Sequence, residues 1–370
     1  MSGANPGRKK RSTGQFIGGV AALIVGVAAI VVGQGPVPSW MPFGGESGVS
    51  RVVGDTVTVT GTIGSEKAAF FKDAEVQQAL AEEGLAVEFS TAGSRDIVNR
   101  EAAGQDFLFP SSAPAGRAAS DAREGSELTT PFYSPMVALT HDELVGSLQA
   151  HGFVRESGGH FYLSSQRLIE ASREGVRWRD IAPEFPSPRA VDVTTTDVRT
   201  SNSAAMYAVI LGWVANGENR IDSPETAQRV AGDIAPLVTG QGYTQASSAG
   251  PFERFLRVDK GEMPMVLAYE AQYLDYARHN PDHPYTVLYL DPTINSEHSL
   301  VALTEHGRQL ADALATPRLQ QLAAAHGFRP TDPAVLTTET IEGIPPVPAE
   351  LISIPQPTFD EVEMLIAALT

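Results

Sequence analysis

Small hydroxyl and amide side chains follow the ends of four predicted strands. These polar turns lie at Thr62–Ser65, Ser90–Ser94, Ser111–Ser112 and Thr200–Ser203. In open α/β sheets, ligands bind at the carboxyl ends of strands, where helix N-termini offer unpaired N–H groups. Hydroxyl and N–H groups together can hold an oxyanion or a carboxylate without lysine or arginine. Because these residue types are also preferred N-caps, one turn alone indicates capping, whereas the run at Thr200–Ser203 favours a ligand contact.

Charged residues stand beside these features. Glu270 directly follows a predicted strand, so it either faces a crevice, where it would suit a cationic or amine ligand, or caps the next helix. Arg95 and Arg199 adjoin two of the hydroxyl turns. Each arginine can bind an anion through two parallel hydrogen bonds or pair with a neighbouring carboxylate.

The sequence lacks the common motifs of enzymes and metal sites. It has no Gly-x-Ser-x-Gly elbow, no Gly-x-x-x-x-Gly-Lys-Ser/Thr loop, no Gly-x-Gly-x-x-Gly after a strand, and no cysteine. His279 and His283 are four residues apart, but Pro281 and Pro284 prevent the helix that would align them. We therefore predict a protein that is not an enzyme and uses no cofactor or metal. A hydrolase of an unrecognised kind is the weakest alternative.

Length and charge narrow the range of partners. The chain has 370 residues, which suits two compact units, and a formal net charge of −17. Binding of nucleic acid requires a concentrated basic surface that displaces counterions. We therefore expect no nucleic-acid partner.

The N-terminal region predicts a membrane anchor. A basic cluster at Arg8–Arg11 precedes an uncharged, apolar run at Phe16–Val32. At 1.5 Å per residue this run is at the short end of what spans a bilayer, and positive charge favours the cytoplasmic side. We predict a cytoplasmic tail at 1–15, a transmembrane helix at 16–33, a Gly-, Pro- and Ser-rich linker at 34–50, and an extracellular main domain. A cleaved signal peptide is the alternative.

Strands alternate with helices in the rest of the chain. Predicted strands lie at Val53–Ile63, Leu85–Phe89, Phe107–Phe109, Phe132–Thr140, Ala190–Thr194, Pro264–Tyr269 and Tyr285–Leu290. This alternation predicts βαβ units and an α/β fold. We expect two lobes, each with a mostly parallel sheet flanked by helices. Residues 51–140 would begin lobe I, 141–297 would form lobe II, and 298–370 would return to lobe I and add a C-terminal tail.

Three segments, in this order, resemble a known family. They are Asp197–Ala204, Leu267–Gln272 and Ala315–Pro330, the last ending in Gly-Phe-Arg-Pro. They are similar to segments of extracellular (periplasmic) solute-binding proteins of type II, and especially of a membrane-anchored group related to those fused to von Willebrand A domains. The resemblance implies the two-lobed periplasmic-binding-protein type II fold, which closes on a small solute by hinge motion, and delivery to an ABC-type transporter.

Carried over by position, the resemblance implies a cleft lined by the polar turns and by the strand end before Glu270. The implied ligand-binding residues are Ser65, Thr91, Ser94, Ser111, Thr200, Ser201, Asn202, Ser203, Tyr269 and Glu270. We predict a membrane-tethered, extracellular solute-binding protein for a small polar or anionic solute such as an oxyanion or carboxylate. Its partner would be an ABC permease or another membrane complex. The alternative is a membrane-anchored scaffold or sensor subunit of a cell-envelope complex, which uses the same fold for protein contacts.

Overall fold

The computed structural model describes residues 56–241, 248–331 and 346–370. The predicted cytoplasmic tail at 1–15, the anchor at 16–33 and the linker at 34–50 lie outside these residues. Across the described ranges, no helix is both long and apolar enough to cross a bilayer.

Helices and strands alternate along most of the described chain. The strands are β1 Val57–Ile63, β2 Leu85–Thr91, β3 Phe107–Phe109, β4 Glu127–His141, β5 Val154–Ser157, β6 His160–Ser164, β7 Met265–Tyr269, β8 Tyr285–Asp291, β9 Asn295–Ala302 and β10 Arg329–Pro330. The helices are α1 Ala68–Lys72, α2 Ala74–Glu82, α3 Ser94–Asn99, α4 Ala113–Asp121, α5 Asp142–Ala150, α6 Ser165–Glu174, α7 Trp178–Ile181, α8 Asn202–Ala215, α9 Pro224–Val238, α10 Ala249–Phe255, α11 Glu270–His279, α12 Glu305–Leu314, α13 Pro317–Ala325 and α14 Phe359–Leu369. A short 3-10 turn, Ser65–Lys67, precedes α1.

The strands form two sheets that share β4. In the order β2-β1-β3-β9-β4-β8-β6-β5, the first sheet contains β1, β2, β3 and β9, and the second contains β5, β6 and β8. Strand β10 pairs with the middle of β4, at Phe132 and Tyr133, in the first sheet, and β7 pairs with its end in the second. We call the elements around these sheets the first half and the second half.

The prediction of mostly parallel sheets is wrong, because the sheets are mixed. Parallel pairing joins β1 to β2, β1 to β3, and β6 to β8. The 15-residue β4 runs antiparallel to β7, β8, β9 and β10, and β5 and β6 form a hairpin that the sequence pattern did not reveal. Parallel neighbours require long crossover connections, whereas antiparallel strands do not. Since β4 passes from one sheet into the other, the strands on both of its flanks can return beside it in the opposite direction.

Two large apolar cores lie on these sheets. The first half is rich in buried phenylalanine, including Phe70, Phe109, Phe132 and Phe328. The second half surrounds α8, a helix that is apolar on nearly every face and buried along almost its whole length. A helix with apolar residues all round is stable only when other elements cover it on every side. Here α6, α9 and the C-terminal α14 pack against it.

A buried ion pair joins two of the segments that carry the family resemblance. The guanidinium of Arg329 donates two hydrogen bonds to Glu270, at 2.7 Å to Oε2 and 2.8 Å to Oε1. The Glu270 side chain is fully buried and that of Arg329 is 7% exposed. Gly327, which has φ +79°, lets the chain turn here, and a Cβ on it would lie 2.9 Å from the carbonyl oxygen of Ala271. The Gly-Phe-Arg-Pro segment is thus held directly against the start of α11.

Breaking this pair should destabilise the fold strongly. An Arg329→Met variant leaves the Glu270 carboxylate buried without a partner, and we expect a loss of about 3–5 kcal/mol in the free energy of unfolding, measured in urea. The double variant Glu270→Leu/Arg329→Met should recover much of that loss, since it removes both buried charges. Arg318→Met, which breaks the exposed pair of Arg318 with Glu75, is the control and should shift the urea midpoint little. An Arg329→Met midpoint equal to that of the unmodified chain would contradict this role.

Candidate ligand-binding site

The polar turns of the first half converge at one edge of its sheet. The parallel strands β1, β2 and β3 end side by side, with Ile63 in register with Thr91 and with Phe109. The turns that follow them meet the start of α8 and the end of β7 from the second half, and these surfaces enclose a small space that we call the inner pocket. It is lined by Gly64, Ser65, Glu66, Ala92, Gly93, Ser94, Ser111, Ser201, Asn202, Ser248 and Tyr269. Its cavity volume is about 10 Å³, roughly the room that a single water molecule needs, so a larger solute can enter only if the two halves move apart.

Six of the ten residues predicted to bind ligand line this pocket together. They are Ser65, Ser94, Ser111, Ser201, Asn202 and Tyr269. The first three come from turns of the first half, and the other three from the second half. The arrangement therefore brings side chains that are distant in sequence, as far apart as Ser65 and Tyr269, to one space between the halves.

The other four predicted residues do not line the inner pocket. Thr91 is exposed at the end of β2, and Thr200 contacts the carbonyl of Asp197. The hydroxyl of Ser203 is buried, 3.0 Å from that of Ser201. Both carboxylate oxygens of Glu270 accept hydrogen bonds from Arg329. All four residues lie in or next to a predicted polar turn or strand end. That position in the sequence does not show whether a side chain contacts the pocket or bonds to other protein groups.

Sequence reasoning missed three charged or titratable residues at this site. Glu66 and Lys67 belong to the short 3-10 turn Ser65–Lys67, and His298 lies on β9. The Lys67 side chain is completely buried, as is that of His298, while that of Glu66 is 3% exposed. The sequence feature that could have indicated this site is the Glu-Lys pair that follows the strand Val57–Ile63 after two intervening residues and stands shortly before two phenylalanines.

The ammonium of Lys67 is surrounded by acceptors. Its Nζ atom lies 2.5 Å from Oε1 of Glu66, 3.1 Å from Oγ of Ser111 and 3.1 Å from Nδ1 of His298. The Phe109 ring lies beneath it, with the centroid 4.8 Å away. An ammonium has three N–H donors, so these three acceptors use all of them. Burial lowers the pKa of Lys67, and the Glu66 carboxylate opposes that effect.

Electrostatics fix the charge states around Lys67. Burial by itself disfavours the Glu66 carboxylate, but Lys67 and His298 outweigh it and hold the pKa of Glu66 far below its usual range. Burial and the neighbouring Lys67 charge lower the pKa of His298 to about 4. His298 is therefore neutral at pH 7, and with its proton on Nε2 its Nδ1 can accept from the ammonium.

One oxygen of Glu66 remains free of protein donors. Oε1 accepts from Lys67 and also from the hydroxyl of Ser111, at 2.5 Å. Among the described residues no hydrogen-bond donor reaches Oε2. Because Glu66 lines the inner pocket, this site offers a ligand an ionised acceptor as well as hydroxyl groups.

Direct hydrogen bonds connect the two halves around the pocket. The Asn202 amide donates to the carbonyl of Ser111 at 3.3 Å and to the Tyr269 hydroxyl at 3.0 Å. Arg95 of α3 donates to the carbonyl of Arg199 at 2.5 Å. Arg95 also pairs with Glu363 of α14, and Arg199 pairs with Asp197. Both arginines that we considered for binding an anion are therefore engaged with protein carboxylates.

A larger groove adjoins the inner pocket. It has a cavity volume of about 330 Å³ and shares Ser65 and Glu66 with that pocket, and we call it the outer groove. Its other lining residues are Ala68, Ala69, Phe70, Lys72, Ala249, Phe252, Glu253, Ala271, Gln272, Asp275, His326 and Phe328. The carboxylate of Glu66 thus stands where the two spaces meet.

The buried His298 should make stability depend on pH. Between pH 6.5 and about 4, His298 takes up a proton in the unfolded chain but stays neutral in the folded chain. The free energy of unfolding therefore falls as the pH is lowered through this range. The contribution is at most about 1.4 kcal/mol per pH unit. Urea midpoints measured from pH 7 to pH 4.5 should show a shallower slope for His298→Gln than for the unmodified chain. The exposed His151→Gln is the matched control and should keep the original slope. Equal slopes for His298→Gln and the unmodified chain would refute the assignment of a neutral, buried ring.

Comparisons with known proteins identify the fold. No protein-family model matches the chain, and no curated protein matches it significantly. Solved structures do resemble it, and one is a periplasmic thiamin binding protein, with 15% identity, a TM-score of 0.54, and coverage of 85% of this chain and 95% of that one. An ABC transporter substrate-binding protein from Bradyrhizobium japonicum USDA 110 has 13% identity, a TM-score of 0.54, and coverage of 85% and 99%. Iron-bound HitA from Pseudomonas aeruginosa has 13% identity, a TM-score of 0.52, and coverage of 85% and 97%. The chain has the two-lobed fold of periplasmic binding proteins.

Proposed function

We propose that this chain is a solute-binding protein that holds a small polar solute in the inner pocket, between its two halves. The observation that carries the proposal is the convergence of Ser94, Ser111, Ser201, Asn202 and Tyr269, which come from both halves, around one small space. A solute in that space would contact both halves at once, so the halves would separate to admit it and then close on it in an arrangement wider than the one described here. The mechanism is reversible binding, with no covalent step.

We propose delivery to an ABC-type permease as the purpose of this binding. The support is the resemblance of the fold to substrate-binding proteins, one of which is named as belonging to an ABC transporter. The basic cluster and apolar run near the N-terminus support tethering through residues 16–33, with the N-terminus in the cytoplasm and the main domain outside the cell membrane. The lobe limits at 140 and 297 remain our proposal for the hinge, and they fall in or beside β4 and β9.

A scaffold or sensor subunit is the second candidate function. The observation that favours it is the direct bonding between the halves. Asn202 reaches Ser111, and Arg95 reaches both Arg199 and Glu363, without any solute in the contact. Such contacts could hold a closed shape that serves protein interactions. A scaffold of this kind predicts no solute that stabilises the chain.

Thermal unfolding in the presence of candidate solutes distinguishes the two functions. A solute at about 100 times its Kd should stabilise the chain by about 2.7 kcal/mol, seen as a rise in melting temperature. The panel should contain amines, amino acids, sugars, oxyanions and metal ions. A rise with none of them would refute solute binding and favour the scaffold.

A Gly64→Ala variant tests whether the inner pocket is the binding site. Gly64 has φ −65° and ψ 142°, a conformation that alanine adopts easily, but its Cβ would lie 2.5 Å from Oε1 of Glu66 and closer still to Oγ of Ser111. We expect the variant to fold and to lose the solute-dependent rise. Gly146→Ala is the matched control, because its Cβ meets no atom within 4 Å, and it should retain the rise. Full retention by a folded Gly64→Ala variant would place the solute elsewhere.

A further inference from the structure

We propose that the solute carries a cationic nitrogen with N–H donors, such as a protonated amine or a guanidinium, and that the Oε2 atom of Glu66 binds it. This inference rests on the proposed function, since it names the chemical class of the solute for the same pocket. It replaces the oxyanion or carboxylate that the hydroxyl turns suggested. Three features of the site support it.

The first feature is an ionised oxygen without a donor. The Glu66 side chain is 3% exposed, its Oε1 is fully used by Lys67 and Ser111, and its Oε2 has no donor among the described residues. Oε2 is not among the fully buried atoms that lack a partner, so it keeps some access to the pocket, and a donor on the solute competes with water for it. A donor on the solute would satisfy it, and a charged donor would gain the stronger, charge-assisted hydrogen bond.

The second feature is the orientation of the positive charge. Lys67 lines neither the inner pocket nor the outer groove, and its three donors point to Glu66, Ser111 and His298. A solute therefore meets the carboxylate first, with the ammonium behind it. An oxyanion in this position would face a carboxylate oxygen and would find no free N–H of Lys67. Of the described residues that line the inner pocket, Glu66 alone has a side chain that is charged at pH 7.

The third feature is the charge of the approach. Within the described part of the chain, the outer groove is lined by the carboxylates of Glu66, Glu253 and Asp275 and by the ammonium of Lys72. His326, in the same groove, has its Nδ1 atom 2.9 Å from Oδ1 of Asp275. With a net charge of −17 for the whole chain, the field near the groove favours the entry of cations over anions.

Matched probes test the charge requirement on the unmodified chain. The amines would be ethanolamine, putrescine, agmatine, lysine and arginine. The uncharged counterparts would be ethylene glycol and 1,4-butanediol, and the anions would be sulfate, phosphate and acetate. We expect a rise in melting temperature with at least one amine and none with its uncharged counterpart. A rise confined to anions or to uncharged probes would overturn the inference while leaving solute binding intact. A rise with no probe of any class, extended to the wider panel above, would overturn the proposed function itself.

Variants at Glu66 test the residue. Glu66→Gln should lower the affinity for the best amine probe at least tenfold, as measured by calorimetric titration. Because this change leaves the Lys67 ammonium without a counter-ion, the double variant Glu66→Gln/Lys67→Met should be titrated beside it and should show the same loss. Glu75→Gln makes the same change at an exposed ion pair on α2 and should keep the affinity within about twofold. Unchanged affinity in either folded Glu66 variant would overturn the assignment. The probe comparison on the unmodified chain decides the charge requirement if both variants fail to fold.

Discussion

The buried ammonium of Lys67 organises the edge of the first sheet. It binds Glu66 from its own turn, Ser111 from the turn after β3, and His298 from β9, so one charged atom joins three separate elements. Removing two charges from water is costly, and a buried pair persists only when its remaining donors and acceptors are also satisfied. Here every N–H of the ammonium has an acceptor. Two atoms of the network lack a partner among the described residues: Nε2 of His298, which is buried, and Oε2 of Glu66, which faces the inner pocket.

A second buried ion pair, away from the inner pocket, connects the two halves. Glu270 and Arg329 tie the start of α11 to the strand that follows α13, and Tyr269, the residue before Glu270, reaches the inner pocket. The pair therefore holds the end of β7 in the position from which Tyr269 meets Asn202. This explains how a residue pair without contact to the pocket can still determine its shape. It also gives the closing Gly-Phe-Arg-Pro segment a physical role, which is to anchor the return of the chain.

The site combines two kinds of chemistry that lead to different solutes when considered alone. Hydroxyl groups and helix starts suit an anion, whereas the free carboxylate oxygen suits a cation. What decides is the sign of the fixed charge. A carboxylate oxygen repels an anion, whereas it accepts from a cationic donor a charge-assisted hydrogen bond of about 1.5–3 kcal/mol. The hydroxyls also accept hydrogen bonds from an amine as readily as they donate to an anion, so they do not oppose the cationic assignment.

The sequence by itself determined the local features of this protein. Alternating and β-branched residues predicted β1, and short apolar runs predicted β2, β3 and β8, because each of these depends on the nearest residues. The polar turns were also recognised, and six of their residues and neighbours line the inner pocket. Tertiary structure alone decided the mixed pairing around β4, the partnership of Glu270 with Arg329 and the burial of Glu66 and Lys67. Each of these depends on residues that are far apart in sequence. A glutamate or a lysine has the same local signature whether it is solvated or buried, and only the packing of Ser111 and His298 around it settles which state is stable.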